Sequence, residues 1–191
     1  MADELAHDWT VADFERAAAV VDDLLDGVGP DDWARTTPCS EWDVRTLVSH
    51  IVNGNLILTA PAVGAQAPDW SSDNLGDDPA AAFRASSDGF RAAMSAPGAL
   101  QHTYDSVLGS EPGTSLVRMR VSELVAHGWD LARAMGRPTD LVPDLAEPVL
   151  AFWQAGLDDV PRDGMPFDAE KPVRADASAA DRLAAYLGRV V

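Results

Sequence analysis

Glu123 and His127 stand four residues apart within Ser115–Met135, a stretch with neither proline nor a run of β-branched residues, which reads as a helix. At that spacing the two side chains lie one above the other and can reach a common point. A carboxylate and an imidazole so placed are two ligands for a divalent ion from a single helix. His50 offers a third. On the helix expected over 43–58 it falls between Leu47 and Ile57, with Ile51 and Leu58 close by, inside the apolar arc.

Each of these residues also has a plainer explanation. A core histidine satisfied by one hydrogen bond accounts for His50 as well as a ligand does. Val117, Val121, Leu124, Val125, Gly128 and Leu131 form an apolar arc that leaves Glu123 and His127 on the other side of their helix. That side also carries Met119, Ala126 and Ala134, a poor composition for a surface facing only water. If it turns inward, a buried carboxylate without a partner costs several kcal/mol. Arg120 or Arg133 could neutralise it, and so could a divalent cation held jointly by Glu123, His127 and His50. Two histidines and a carboxylate are a catalytic zinc set with a fourth position left open; the same donors suit non-haem Fe(II), Ni(II) or Co(II).

Other reactive groups are few. Cys39 is the only cysteine, so an internal disulfide is excluded. It reads as a buried staple residue, or alternatively as a thiol activated by a helix N-terminus. Asp130, one turn beyond His127, could orient a ligand or simply be exposed. His7 and His102 read as surface residues. No Ser-His-Asp or Cys-His arrangement is legible, and no residue is assigned as catalytic.

The elements that must position these groups are helices. Thr10–Asp13, Ser40–Asp43 and Ser178–Asp181 share the grammar of a reciprocal cap, and Trp9 with Phe14 and Cys39 with Val44 fit the hydrophobic staple. Asp78-Pro79 opens a helix through Phe83, Phe90 and Met94, closed by Pro97-Gly98. Gly136-Arg137-Pro138 stops the 115–135 helix. Further helices are expected over 145–157, with Pro148 near its start, and 179–187. Strand patterning is weak throughout. Residues 64–78 and 161–177 read as surface loops. With neither an internal repeat nor a domain boundary, residues 1–191 form one domain, a four-helix bundle with additional short helices.

Composition limits the partners. Thirty-one acids against 14 bases give a net charge of −17, which repels nucleic acid and anionic lipid. No run approaches the roughly 20 uninterrupted apolar residues of a membrane span. The acidic start MADELAHDWT is unlike a secretory signal, and a cytoplasmic protein is expected.

The run Thr37-Pro-Cys-Ser-Glu-Trp-Asp-Val-Arg-Thr-Leu-Val-Ser-His50 resembles the second helix and lead-in of the DinB-like metal-binding bundles. Arg120-Val-Ser-Glu-Leu-Val-Ala-His127-Gly-Trp-Asp-Leu-Ala resembles the helix that supplies their other ligands. The tail from Ala175 to Arg189 is similar to the end of short, single-domain members. Within that group the chain resembles actinobacterial proteins related to the N-terminal domain of mycothiol-dependent maleylpyruvate isomerase. The resemblance implies an all-α DinB-like bundle with His50, Glu123 and His127 as metal ligands, and permits a homodimer. The isomerase has a further C-terminal domain that helps to build its active site, so isomerisation itself is not implied for these 191 residues. The function expected is divalent-metal binding, zinc foremost, with transfer of a low-molecular-weight thiol such as mycothiol to a small electrophile. A metal-dependent hydrolase and a non-catalytic metal- or ligand-binding protein are the alternatives.

Overall fold

The computed structural model describes residues 7–40, 42–157, 160–162 and 167–191. Glu41, within the Thr37–His50 run, lies outside the described residues, as do the first six residues and parts of the 161–177 loop.

Among the described residues six helices occur, in the order α1 (Val11–Leu25), α2 (Val44–Val63), α3 (Pro79–Met94), α4 (Gly113–Ala134), α5 (Pro143–Leu157) and α6 (Ala179–Tyr186). Contacts run from α1 to α3, α3 to α2, α2 to α4 and α4 back to α1, closing a four-helix ring. Phe14, Leu47, Ile51, Phe83, Phe90, Leu116 and Leu124 fill its interior. The all-α bundle expected from the sequence is the fold. α5 and α6 pair with each other, and both pack on α4. That leaves α4 covered on both sides, with Val117, Val121 and Leu131 buried on one side and Ala126, His127 and Asp130 on another. The solvated-face reading of Glu123 and His127 therefore fails: α4 is the central helix.

Local capping explains most of the helix starts. Thr10 and Asp13 form the full reciprocal box on α1, and Asp78 with Pro79 opens α3. The Ser178 hydroxyl caps α6, but the Asp181 carboxylate accepts from Trp129 Nε1 (2.8 Å) and Thr139 Oγ1 (3.0 Å), tying α6 to α4. The start of α2 differs from expectation more sharply. Asp43, not Ser40, is its cap, accepting from Thr46 N at 2.8 Å. Residues 35–43 instead double back: Thr36 bridges Asp43, Val44 N donates to Arg35 O, and Trp42 N donates to Cys39 O. Cys39 is thus carried to the tip of a turn and is no staple. α5 starts at Pro143, two residues early, and takes Pro148 into its body.

A second correction is a short antiparallel hairpin, β1 (Thr103–Ser106) with β2 (Gly109–Pro112), which leads into α4. Four-residue strands reading TYDS and GSEP carry too little alternation to register as strands. α2 is long and apolar enough, by length and composition, to cross a membrane, yet more than half of the relevant stretch is buried in the bundle. Two buried asparagines, Asn53 and Asn55, lie within it.

Candidate metal centre

α2 and α4 pack side by side, and this places His50 opposite Glu123 and His127. His50 Nε2 lies 3.8 Å from Glu123 Oε1, and the His50 and His127 rings are 5.0 Å apart and nearly perpendicular. All three residues line one cavity of about 330 Å³. Trp42, Trp153 and Phe167 give its wall an aromatic side, and Cys39 and Arg189 also reach it. The His50 ring contacts Trp70, stacked at 4.9 Å, and Trp42, tilted at 4.8 Å. Trp70 sits on the 64–78 loop, which Asn53 pins by donating to the carbonyls of Trp70 (2.9 Å) and Ser72 (3.0 Å).

Glu123 is oriented from the bundle core. Arg120, fully buried, donates through Nη1 to Glu123 Oε2, through Nε to Asn55 Oδ1 (2.9 Å) and through Nη2 to Ile51 O (3.1 Å). Asn55 in turn donates to Ser86 and Ser87 of α3. Burial pushes the Glu123 carboxyl up, but Arg120, with His50 and His127, outweighs this and holds it at about 2. The pair needs a gap in α2, which Gly54 supplies. A Cβ there would lie 2.2 Å from Arg120 Nη1 and 3.2 Å from Glu123 Oε2.

His127 is oriented from the opposite side. Its Nδ1 is 3.0 Å from Asp130 Oδ2, and the carboxylate assigns the proton to Nδ1, leaving Nε2 as the nitrogen with a free lone pair. Burial lowers its pKa below the usual histidine value, against the pull of Asp130, so the ring is neutral at pH 7. Asp130 is itself buried, which raises its pKa, but His127 and Arg189 bring it down to about 2.

The donor chemistry fits a divalent ion. An ionised carboxylate with Oε2 occupied by Arg120 keeps Oε1 toward His50, and a neutral imidazole anchored at Nδ1 is the usual state of a histidine ligand. Among the described residues, the cluster whose donor atoms all lie within 4.8 Å of one another is a different one, Cys39, His127 and Asp130, which shares His127 with the set above. Arg189 donates to both Cys39 Sγ (3.2 Å) and Asp130 Oδ2 (2.9 Å), so a cation there would face a guanidinium across two of its three donors. Within it, Asp130 Oδ2 holds His127 at Nδ1. Cys39 is half-buried, donates to Asp130 at 3.4 Å, and burial with the nearby Asp130 pushes its thiol up to about 12. It is not an activated nucleophile.

The remaining histidines stay apart. His7 pairs with Asp13 at 3.2 Å and is partly buried rather than simply on the surface; His102 is exposed beside Tyr104. Among the residues that sequence reasoning missed, Gly54 had a signal, a glycine inside an otherwise strong helix, whereas Arg189 had none.

Comparison with known proteins agrees with this architecture. Two curated relatives, both uncharacterised proteins of Mycobacterium tuberculosis from different strains, are 36% identical over 178 residues, covering 93% of this chain and 96% of theirs. Two crystal structures of mycothiol-dependent maleylpyruvate isomerase, one of them a histidine-to-alanine mutant, share the fold, with TM-scores of 0.59 and 0.57 at 15% and 16% identity. They match over 74% and 76% of this chain and 66% and 67% of the isomerase, so the chain spans about two thirds of that protein's length. The family model for the mycothiol maleylpyruvate isomerase N-terminal domain matches residues 14–132, which run from the first turn of α1 through the His127 end of α4. His50, Glu123 and His127 thus lie inside the matched region, and the chain belongs to the mycothiol maleylpyruvate isomerase N-terminal domain family.

Proposed function

We propose that this chain binds one divalent metal ion, zinc foremost, through His50, Glu123 and His127, and transfers a low-molecular-weight thiol, mycothiol in an actinobacterial host, to a small electrophile. The observation that carries the reading is the convergence of two imidazoles and an ionised carboxylate, from two helices, on one cavity wall. Three protein donors among the described residues, rather than four, is the pattern of a catalytic site. The family supports the thiol. Cys39, the chain's own thiol, is engaged by Asp130 and Arg189, and burial pushes its pKa up, which favours a reacting sulfur from outside.

A divalent ion bound there would supply the positive charge that lowers the pKa of a thiol, or of water, in the cavity. The chain's residues do the rest. Arg120 fixes which Glu123 oxygen faces His50, and Asp130 keeps the proton of His127 on Nδ1. Trp42, Trp153 and Phe167 offer an apolar wall that excludes water and suits an electrophile with an apolar body. In the overall reaction the sulfur forms a bond to the electrophilic carbon. Its proton passes to solvent, and the displaced electron pair moves to the leaving group or to the adjacent atom.

The test is thiol consumption by protein purified without a metal-affinity tag, with mycothiol and a panel of haloaromatics, epoxides and maleyl-type acids. Wild type should turn over at least one of them, and Glu123→Ala should not. Equal rates for the two proteins across the panel would remove transferase activity. Thiol-independent cleavage of an ester or amide by wild type alone would replace it with a metal-dependent hydrolase.

A further inference from the structure

The residues just after α6 return to the cavity. We propose that Arg189, from this C-terminal segment, is a positioning residue for His127 that acts through Asp130; the proposal rests on His127 being a metal donor as set out above. Arg189 grips Asp130 with two parallel bonds, Nε to Oδ1 at 3.1 Å and Nη2 to Oδ2 at 2.9 Å. The same Oδ2 faces His127 Nδ1 at 3.0 Å. A two-pronged bond fixes the plane of a carboxylate as well as its position. The direction in which Asp130 meets the imidazole is therefore set 59 residues away in sequence.

A buried carboxylate needs some cation, and charge alone would be met by any arginine nearby. The segment shows more than that. Arg189 N donates to Ala184 O (2.9 Å), and Nη1 turns back to Leu187 O (3.0 Å), so backbone and guanidinium are both held. Gly188 makes the turn with φ +91°, and an added Cβ would lie 2.5 Å from Asp168 Cβ. Asp181 anchors α6 to Trp129 on α4, two residues from His127. Cys39 competes for the same oxygen, lying 3.4 Å from Asp130 Oδ2 and 4.0 Å from His127 Nδ1. Arg189 Nη2, 3.2 Å from Cys39 Sγ, sits against both competitors. Without the fork, Asp130 is free to turn toward Cys39 and release His127.

The experiment uses the full chain labelled with ¹⁵N-histidine, first metal-free and then titrated with Zn²⁺ against a competing chelator. In metal-free wild type the imidazole of His127 should be one tautomer, protonated at Nδ1. Arg189→Gln should mix the tautomers and weaken zinc binding about 10–100-fold, the range for lost outer partners of a histidine ligand. Arg189→Lys keeps the charge but not the fork, so it should retain more thermal stability while still mixing the tautomers. In an Asp130→Asn background, Arg189→Gln should change affinity less than about threefold, because the path through Asp130 is already broken. A single tautomer and wild-type affinity in Arg189→Lys would overturn the directional role, and so would equal losses in both backgrounds. Wild type that takes up no zinc overturns the metal reading instead, and the tautomer measurement then decides the positioning role alone.

Discussion

Replacing Arg120 with methionine should separate the bundle's stability from its metal chemistry. The guanidinium is fully buried and serves Glu123, Asn55 and the Ile51 carbonyl at once. Methionine fills similar volume but returns none of these bonds. Breaking a buried ion pair by removing one partner costs roughly 3–5 kcal/mol, and an orphaned Asn55 acceptor adds about 1–3 kcal/mol. Part of this is recovered, because burial already pushes the Glu123 carboxyl up and Arg120 is the strongest influence holding it down. Without Arg120, Glu123 can take a proton, so a net loss of about 3 kcal/mol is expected. At about 2–4 °C per kcal/mol for a domain of this size, that is a fall of roughly 6–12 °C in Tm. Saturating Zn²⁺ should offset more of the loss in Arg120→Met than it adds to wild type, since a cation beside Glu123 replaces the missing charge. Thermal melts with excess chelator and with excess zinc read both quantities. A metal-free Tm within about 2 °C of wild type would refute the buried pair as a structural element, and an equal zinc increment in both proteins would refute the shared charge at Glu123.

Three further outcomes are expected. Gly54→Ala improves helix propensity by up to about 1 kcal/mol, yet its Cβ meets Arg120 Nη1 at 2.2 Å, so it should lower both Tm and zinc affinity; a more stable variant with unchanged affinity would contradict the clearance argument. His50→Ala and His127→Ala should each lose bound metal by elemental analysis while His7→Ala and His102→Ala keep it, and full occupancy in the first pair would sink the ligand assignment. Asp13, although burial pushes its carboxyl up, is held below its ordinary pKa of 3.8 by Thr10 and His7. Its stabilising contribution is therefore present above the unfolded value of about 3.9 and lost as pH falls through the folded pKa. Asp13→Asn should cost on the order of 1 kcal/mol in denaturant melts at pH 7, a deficit that shrinks below about pH 4; the same deficit at pH 3 would argue against the carboxylate as the source.

Local spacing determined much of this protein. The four-residue step from Glu123 to His127, the three-residue step on to Asp130 and the apolar arc around His50 are properties of single helices, whose 3.6-residue period fixes side-chain direction before anything packs. The caps at Thr10, Asp78 and Ser178 are local for the same reason. Tertiary structure decided what the helices could not. Whether the Glu123 face was wet or buried depended on α5 and α6 packing over α4, and the apolar arc alone left both outcomes open. Cys39 reads as a staple until Asp43 takes the cap and the 35–43 turn carries the thiol to the cavity. Gly54 gains its meaning only when Arg120, 66 residues later, needs the space of the missing side chain. Arg189 lies 150 residues from Cys39 and 59 from Asp130, so no periodicity relates them. Their meeting is fixed by where α6 docks and by the turn at Gly188, which are matters of packing and chain closure rather than of local sequence.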